Sequence, residues 1–484
     1  MGEHELNNVS HEMMNYSLAM LIKNGIGQAW NILCVESQQT IQKYIDDSSY
    51  SPVQKQVILD YCSIASSIML YDVELSTLHY AYSNTTSEIE KRILQKEYNA
   101  ITYTLYRYWF AKNKQGKYRF DKYRTRLLEL APENNETLVN LHKAEKDIRK
   151  SFVNGQASNK RNMTYHYSEE PDMFTNPSKM VAHLLSLNLG EEGLQRTQLL
   201  SINDKLLETY SRVNEIQQFI KVTLLPIKPI DIATIKFFNQ VQTDKLVNSI
   251  RQNAETQWSL LVSNKEHYDL LLNKKLPRQF SITEHRRIER LFRFVMQINL
   301  LYLDLATFFK SYLISPSDYE RWFFICRLNV SGYEGVSKLS QLIDDFVNKR
   351  DCIMDDDIVS RIKQTSTILS LLKFNKQLRN AFVDFQSLNK GQEYVQNMRS
   401  EIAARQVCVL ICLLLPELNN LLWAMTAYLQ AISQEIKKQT ETISTNIKAK
   451  IQEVHPLLLQ FAKSKQQVDE INSVFNKLSV IAEL

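Results

Sequence analysis

The chain has 484 residues, 44% hydrophobic and 23% charged, with a net charge of +5. That length buries a core larger than one ordinary domain, and the composition excludes a largely disordered chain. The small positive excess does not by itself imply a nucleic-acid partner, so the distribution of charge matters more than its sum.

Ten Gly and ten Pro are few for this length, which favours long helices over turns. The opening Met1-Gly2-Glu3-His4-Glu5 has neither the basic start nor the apolar stretch of a signal peptide. Leu6 stands where a myristoylation signal wants Ser or Thr. The six cysteines, Cys34, Cys62, Cys326, Cys352, Cys408 and Cys412, show no CxxC pair and no zinc spacing. Reduced thiols in a cytoplasmic protein are expected, with Cys408 and Cys412 both in a helical core.

Helix starts recur along the chain. Ser51-Pro52 places proline at a first helical position, and Ser87 with Glu90 has capping-box spacing. Ile89, Ile93, Tyr98, Ile101, Leu105 and Tyr108 then follow helical steps. Next comes a basic stretch holding Arg107, Lys112, Lys114, Lys117, Arg119, Lys122, Arg124 and Arg126 against the single acid Asp121. Tyr106, Tyr108, Trp109, Tyr118, Phe120 and Tyr123 are interleaved with it. Cations neutralise phosphates and aromatic faces stack unpaired bases, so the stretch reads as a nucleic-acid surface. It reads equally as a solvated helix junction whose aromatics turn to the core.

Residues 154–178 and Gly190 to Gly193 break the pattern, and Pro226 with Pro229 marks the best linker. Beyond it, Ser281 with Glu284 and Ser315 with Asp318 resemble further helix starts. Ile288, Leu291, Phe292, Val295, Ile298 and Leu301 keep helical spacing. Arg286, Arg290 and Arg293 share one helix face, fit either for phosphate or for pairing with Glu284 and Glu289. Asp355-Asp356-Asp357 lacks calcium-loop spacing and suits a helix N-terminus. Val407 to Leu415 is too short an apolar run to span a bilayer and is cut by Pro416, so a buried helix is expected. From Ile432 through Ile436, Ile443, Ile447 and Ile451 to Phe461 the steps are those of an amphipathic helix, which Pro456 should kink or divide. That helix either packs on its own body or pairs with another chain.

Two strings carry candidate chemistry. The first is Arg161-Asn162-Met163-Thr164-Tyr165-His166, and the second is Arg379-Asn380-Ala381-Phe382-Val383-Asp384. Cleaving RNA without a metal requires taking the proton of the 2′-hydroxyl, stabilising charge at phosphorus and protonating the leaving oxygen. Histidine moves protons near neutral pH, and arginine offers a permanently charged fork for phosphoryl oxygens. Asn162 would orient the backbone or a phosphate. A polar loop with no catalytic duty is the competing reading, since Glu169-Glu170-Pro171-Asp172 follows closely.

The Arg-Asn-x-x-x-His string resembles the signature of HEPN domains, helical domains many of which are metal-independent ribonucleases of toxin–antitoxin, phage-defence and RNA-processing systems. The resemblance covers six residues in each half and the helical context. It implies that Arg161, Asn162 and His166 are catalytic. It also implies that Arg379, Asn380 and Asp384 form a degenerate second site, because Asp does not titrate near neutrality. In some HEPN proteins a tyrosine two residues past the histidine is modified; here Ser168 holds that place and Tyr167 precedes it.

The expectation is therefore an all-α protein. It would have two HEPN-like helical halves, 1–225 and 226–431, forming an internal pseudo-dimer, and a long C-terminal helix over 432–484. The expected function is metal-independent cleavage of RNA, held in check by a neutralising partner protein. The alternative is a non-catalytic RNA-binding or protein-interaction scaffold. No cofactor, metal or membrane contact is expected, and self-association would run through the C-terminal helix.

Overall fold

The computed structural model describes residues 29, 32–33, 35–110, 119–132, 135–153, 177–187, 201–202, 205, 208, 232–273, 282–348, 356–383 and 388–483. The fold is all-α, and no strand occurs among the described residues. In chain order the helices are α1 Val35–Asp46, α2 Pro52–Ser83, α3 Glu88–Trp109, α4 Arg119–Leu130, α5 Asn135–Val153, α6 Pro177–Ser186 and α7 Gln240–Asn273. They continue with α8 Ile282–Ile314, α9 Asp318–Asn348, α10 Asp356–Leu371, α11 Lys376–Val383, α12 Leu388–Asn397, α13 Glu401–Gln460 and α14 Lys465–Glu483.

α8 is the hub. It packs on α7, α9 and α13, and more lightly on α3 and α6. Its apolar steps Ile288, Leu291, Phe292, Val295, Ile298 and Leu301 are all buried. Two helices among the described residues are long and apolar enough to cross a membrane: α8, whose most apolar window is 94% covered by protein as befits a core helix, and residues 401–430 of the later helix Glu401–Gln460, whose window is 44% covered. α9 approaches α8 closely at Gly335, where an added Cβ would lie 2.4 Å from Leu301. Helices before and after Pro226 share one hydrophobic core, which runs from Ala29 to Leu429.

Local signals at the helix starts are partly as expected. Ser51 caps α2, its hydroxyl accepting from Gln54 N while Gln54 Oε1 accepts from Ser51 N at 2.7 Å. α10 begins within the acidic triplet, at Asp356. Two expected boxes are corrected. The Ser87 hydroxyl makes no cap bond, and the reciprocal half of the box is missing because Glu90 turns inward to accept from Lys310 Nζ at 2.6 Å and from the Thr85 hydroxyl, while the Ser87 amide donates to Thr85 Oγ1 at 3.2 Å. α9 is capped by Ser317 rather than Ser315; the Ser317 amide and hydroxyl both donate to Glu320.

α13 differs most from expectation. Residues 432–460 are the second half of a 60-residue helix, about 90 Å long, that starts at Glu401 and passes through both Pro416 and Pro456. Each proline removes one backbone donor, and both stand on the exposed side of the helix. Cys412, expected in the core, is exposed on that same side, whereas Cys408 is buried.

Candidate functional site

The string Arg161–His166 lies outside the described residues, as do Lys112, Lys114, Lys117 and Asp384. Arg379 and Asn380 stand on α11. The Arg379 guanidinium donates from Nε to Glu334 of α9 at 2.7 Å and from Nη1 to its neighbour Asn380 Oδ1 at 3.2 Å. Its fork therefore already holds a carboxylate, which a phosphate would have to displace.

Within the basic stretch, Arg107 and Lys122 face solvent. Arg124 donates to Asp121 at 2.9 Å and to the fully buried Glu145, while Arg126 pairs with Asp60 of α2. Arg149 of α5 also grips Glu145 and donates to the Phe110 carbonyl at 3.1 Å. Asp121, His142 and Glu145 present donor atoms within 4.8 Å of one another, the density a cation needs, but the two guanidinium groups supply that charge. Burial first, and Arg124 second, push the His142 pKa below the ordinary imidazole value. Among the described aromatics of the stretch, Tyr106, Trp109, Phe110 and Phe120 are buried while Tyr108 and Tyr123 are half-buried, and Trp109 Nε1 donates to Ser67 at 3.1 Å. Phe110 and Phe120 pack against each other with ring centres 5.3 Å apart and planes tilted by 41°, rather than lining a groove.

The densest buried chemistry was not anticipated. Lys96 of α3 donates to both oxygens of Asp304 of α8 at 2.7 Å. Lys310 of α8 grips Glu90 of α3, and Arg327 of α9 lies 3.0 Å from Glu97 of α3. Arg327 also sits over the Phe382 ring at 4.6 Å. Beside them Glu74 of α2 is buried, and its Oε1 has no hydrogen-bond partner. Four carboxyls thus face three cations. Burial, reinforced by Glu97 and partly offset by Arg327, pushes the Glu74 pKa up to about 8. The layer clamps α3 to α8 and α9, and burial drives its excess acid, Glu74, toward the neutral form. Its sequence signal is a charge inside an apolar period, such as Asp304 between Leu301 and Leu305, or Glu97 between Ile93 and Ile101.

The last feature is an arm. α14 folds back on the end of α13, His455 Nε2 lies 2.8 Å from Asn472 Oδ1, and the His455 ring rests 4.6 Å from Phe475. Phe475 is buried yet separate from the main core. Around it Val454, Leu457, Leu458, Val474 and above all Phe461, 77% exposed, remain in solvent.

The chain matches no protein-family model, and no curated protein or solved structure matches it either.

Proposed function

We propose that the chain is a non-catalytic helical scaffold whose C-terminal hairpin docks a second copy of itself. One observation carries this reading: the arm lies outside the shared core and leaves Leu457, Leu458 and Phe461 in water. A two-helix hairpin buries little apolar surface alone, and two hairpins pack as a four-helix bundle that closes the seam. The polar His455–Asn472 pair would then set register, as a lone polar contact does in coiled coils. Light scattering over a range of concentrations tests it. Wild type should gain mass with concentration, and full-length protein carrying Leu457→Glu and Phe461→Glu should reach a lower mass at the same concentrations. Equal masses would overturn the reading.

A second reading rests on the spacing of Arg161, Asn162 and His166. Here the chain is a HEPN-like, metal-independent endoribonuclease: His166 moves the protons, Arg161 stabilises the charged phosphorus and Asn162 orients. Arg107 and Lys122, both solvent-facing, would draw RNA toward it, and a neutralising partner protein would restrain it. RNA cleavage in EDTA should be lost in Arg161→Ala and His166→Ala, with helicity unchanged by circular dichroism. Cleavage that persists in both variants rejects this reading, and salt-sensitive binding without cleavage turns it into RNA binding alone.

A further inference from the structure

The first half of α13 carries a second surface, separate from the arm. Its outward residues recur in unbroken steps of four and three: Ile402, Gln406, Val409, Leu413, Pro416, Asn420, then Trp423, Ala427, Gln430 and Gln434. All are exposed, although the opposite side of the same helix is fully packed in the core. Ile402 is 73% exposed, Val409 54%, Leu413 56% and Trp423 48%. An outer face of a body helix would ordinarily carry Lys and Glu. Here the last charges are Glu401 and Arg405, paired with each other at 2.6 Å. From Gln406 to Gln434 the only charged residue is Glu417, which is half-buried and accepts from Thr365 at 2.6 Å.

A period of 3.5 with apolar positions is the pattern that knobs-into-holes packing requires of a helical partner. We propose that this face is a coiled-coil seam for a second copy of the chain. Charge permits that occupant. Two copies each carrying +5 repel over most of their surface, whereas a strip without charge lets identical faces meet. Length agrees. The strip from 402 to 434 runs for about 50 Å, and with helices about 10 Å apart two such strips bury about 1,000 Å², the threshold of a specific interface. Among the outward-facing residues from Val409 to Ala427, Asn420 carries the one amide, and pairing it across the seam would fix the register.

The seam shares its partner with the arm but none of its residues, so the two fail separately. The test is the mass of full-length protein by light scattering, for wild type, the seam variant Val409→Glu with Leu413→Glu, the arm variant Leu457→Glu with Phe461→Glu, and all four changes together. Val409→Gln with Leu413→Gln is the milder seam variant should the charged one lose helicity. The expected result is that seam changes halve the mass at fixed concentration, that arm changes leave a seam dimer, and that the combined variant is a monomer. A seam variant with wild-type mass overturns the proposal while leaving the arm intact. A wild type that is monomeric throughout overturns both. If such a monomer instead binds vesicles containing anionic lipid, and the seam changes abolish that binding, the face belongs to lipid and the proposal falls.

Discussion

Replacing Glu74 by Gln should stabilise the protein at neutral pH and remove part of its pH dependence. Glu74 is buried at 3% exposure with an orphaned oxygen, and burial pushes its pKa from an ordinary 4.5 to about 8. Between those values the folded chain keeps a proton that the unfolded chain releases. The stability tied to that proton is complete below pH 4.5, falls as pH rises, and is lost by the time pH passes about 8. Each unit in that window costs about 1.4 kcal/mol, so the span from 4.5 to 7 amounts to about 3 kcal/mol. Gln has the same shape and no proton to lose. Urea midpoints followed by circular dichroism at pH 5, 6, 7 and 8 read the difference. The gap between variant and wild type should widen by about 1.4 kcal/mol per unit and level off above pH 8. The shift of Glu320, which is not among the groups acting on Glu74, cancels in that difference, whereas Glu97 is coupled to Glu74 and is read together with it. A constant gap, or a variant less stable at pH 8, would mean that Glu74 is ionised and paired, and would refute the reasoning.

Lys96→Met alone strands the Asp304 carboxylate and should cost about 3–5 kcal/mol, whereas Lys96→Met with Asp304→Leu should recover most of it in thermal melts. Gly332→Ala would place a Cβ 2.3 Å from the Phe374 ring and should cost about 1–3 kcal/mol, relieved by Phe374→Leu; no change in Tm would show that the ring moves freely.

The all-α class was legible because apolar residues on α3 and α8 hold helical steps over many turns, and all of those named except the half-buried Tyr108 are buried. Ser51-Pro52 and the acidic start of α10 were legible because a cap acts within one turn. Ser87 and Ser315 misled for the same local reason. Glu90 has a buried lysine 220 residues away, and that cation outweighs a cap bond to a backbone amide. Proline predicts an interrupted helix, but α13 continues through Pro416 and Pro456, both on its exposed side, and which side is exposed is set by packing that local sequence does not reveal. Cys412 was misplaced because α13 is apolar on both faces, so periodicity could not tell the core side from the open one. Arg379 was legible as a cation, while its engagement by Glu334 depends on how α9 and α11 meet.

The ionic layer also sets an order of events during synthesis. Lys96 waits for a partner 208 residues downstream, Glu90 for one 220 residues downstream, and Glu97 for Arg327. At about 5–20 residues per second, α3 leaves the ribosome tens of seconds before α8 and α9. Through that interval α2 and α3 can pair as a hairpin, but they cannot dehydrate the face bearing Glu90, Lys96 and Glu97. The nascent first half is thereby kept wet and unfinished, and the arrival of α8 and α9 is the step that commits the chain to its core.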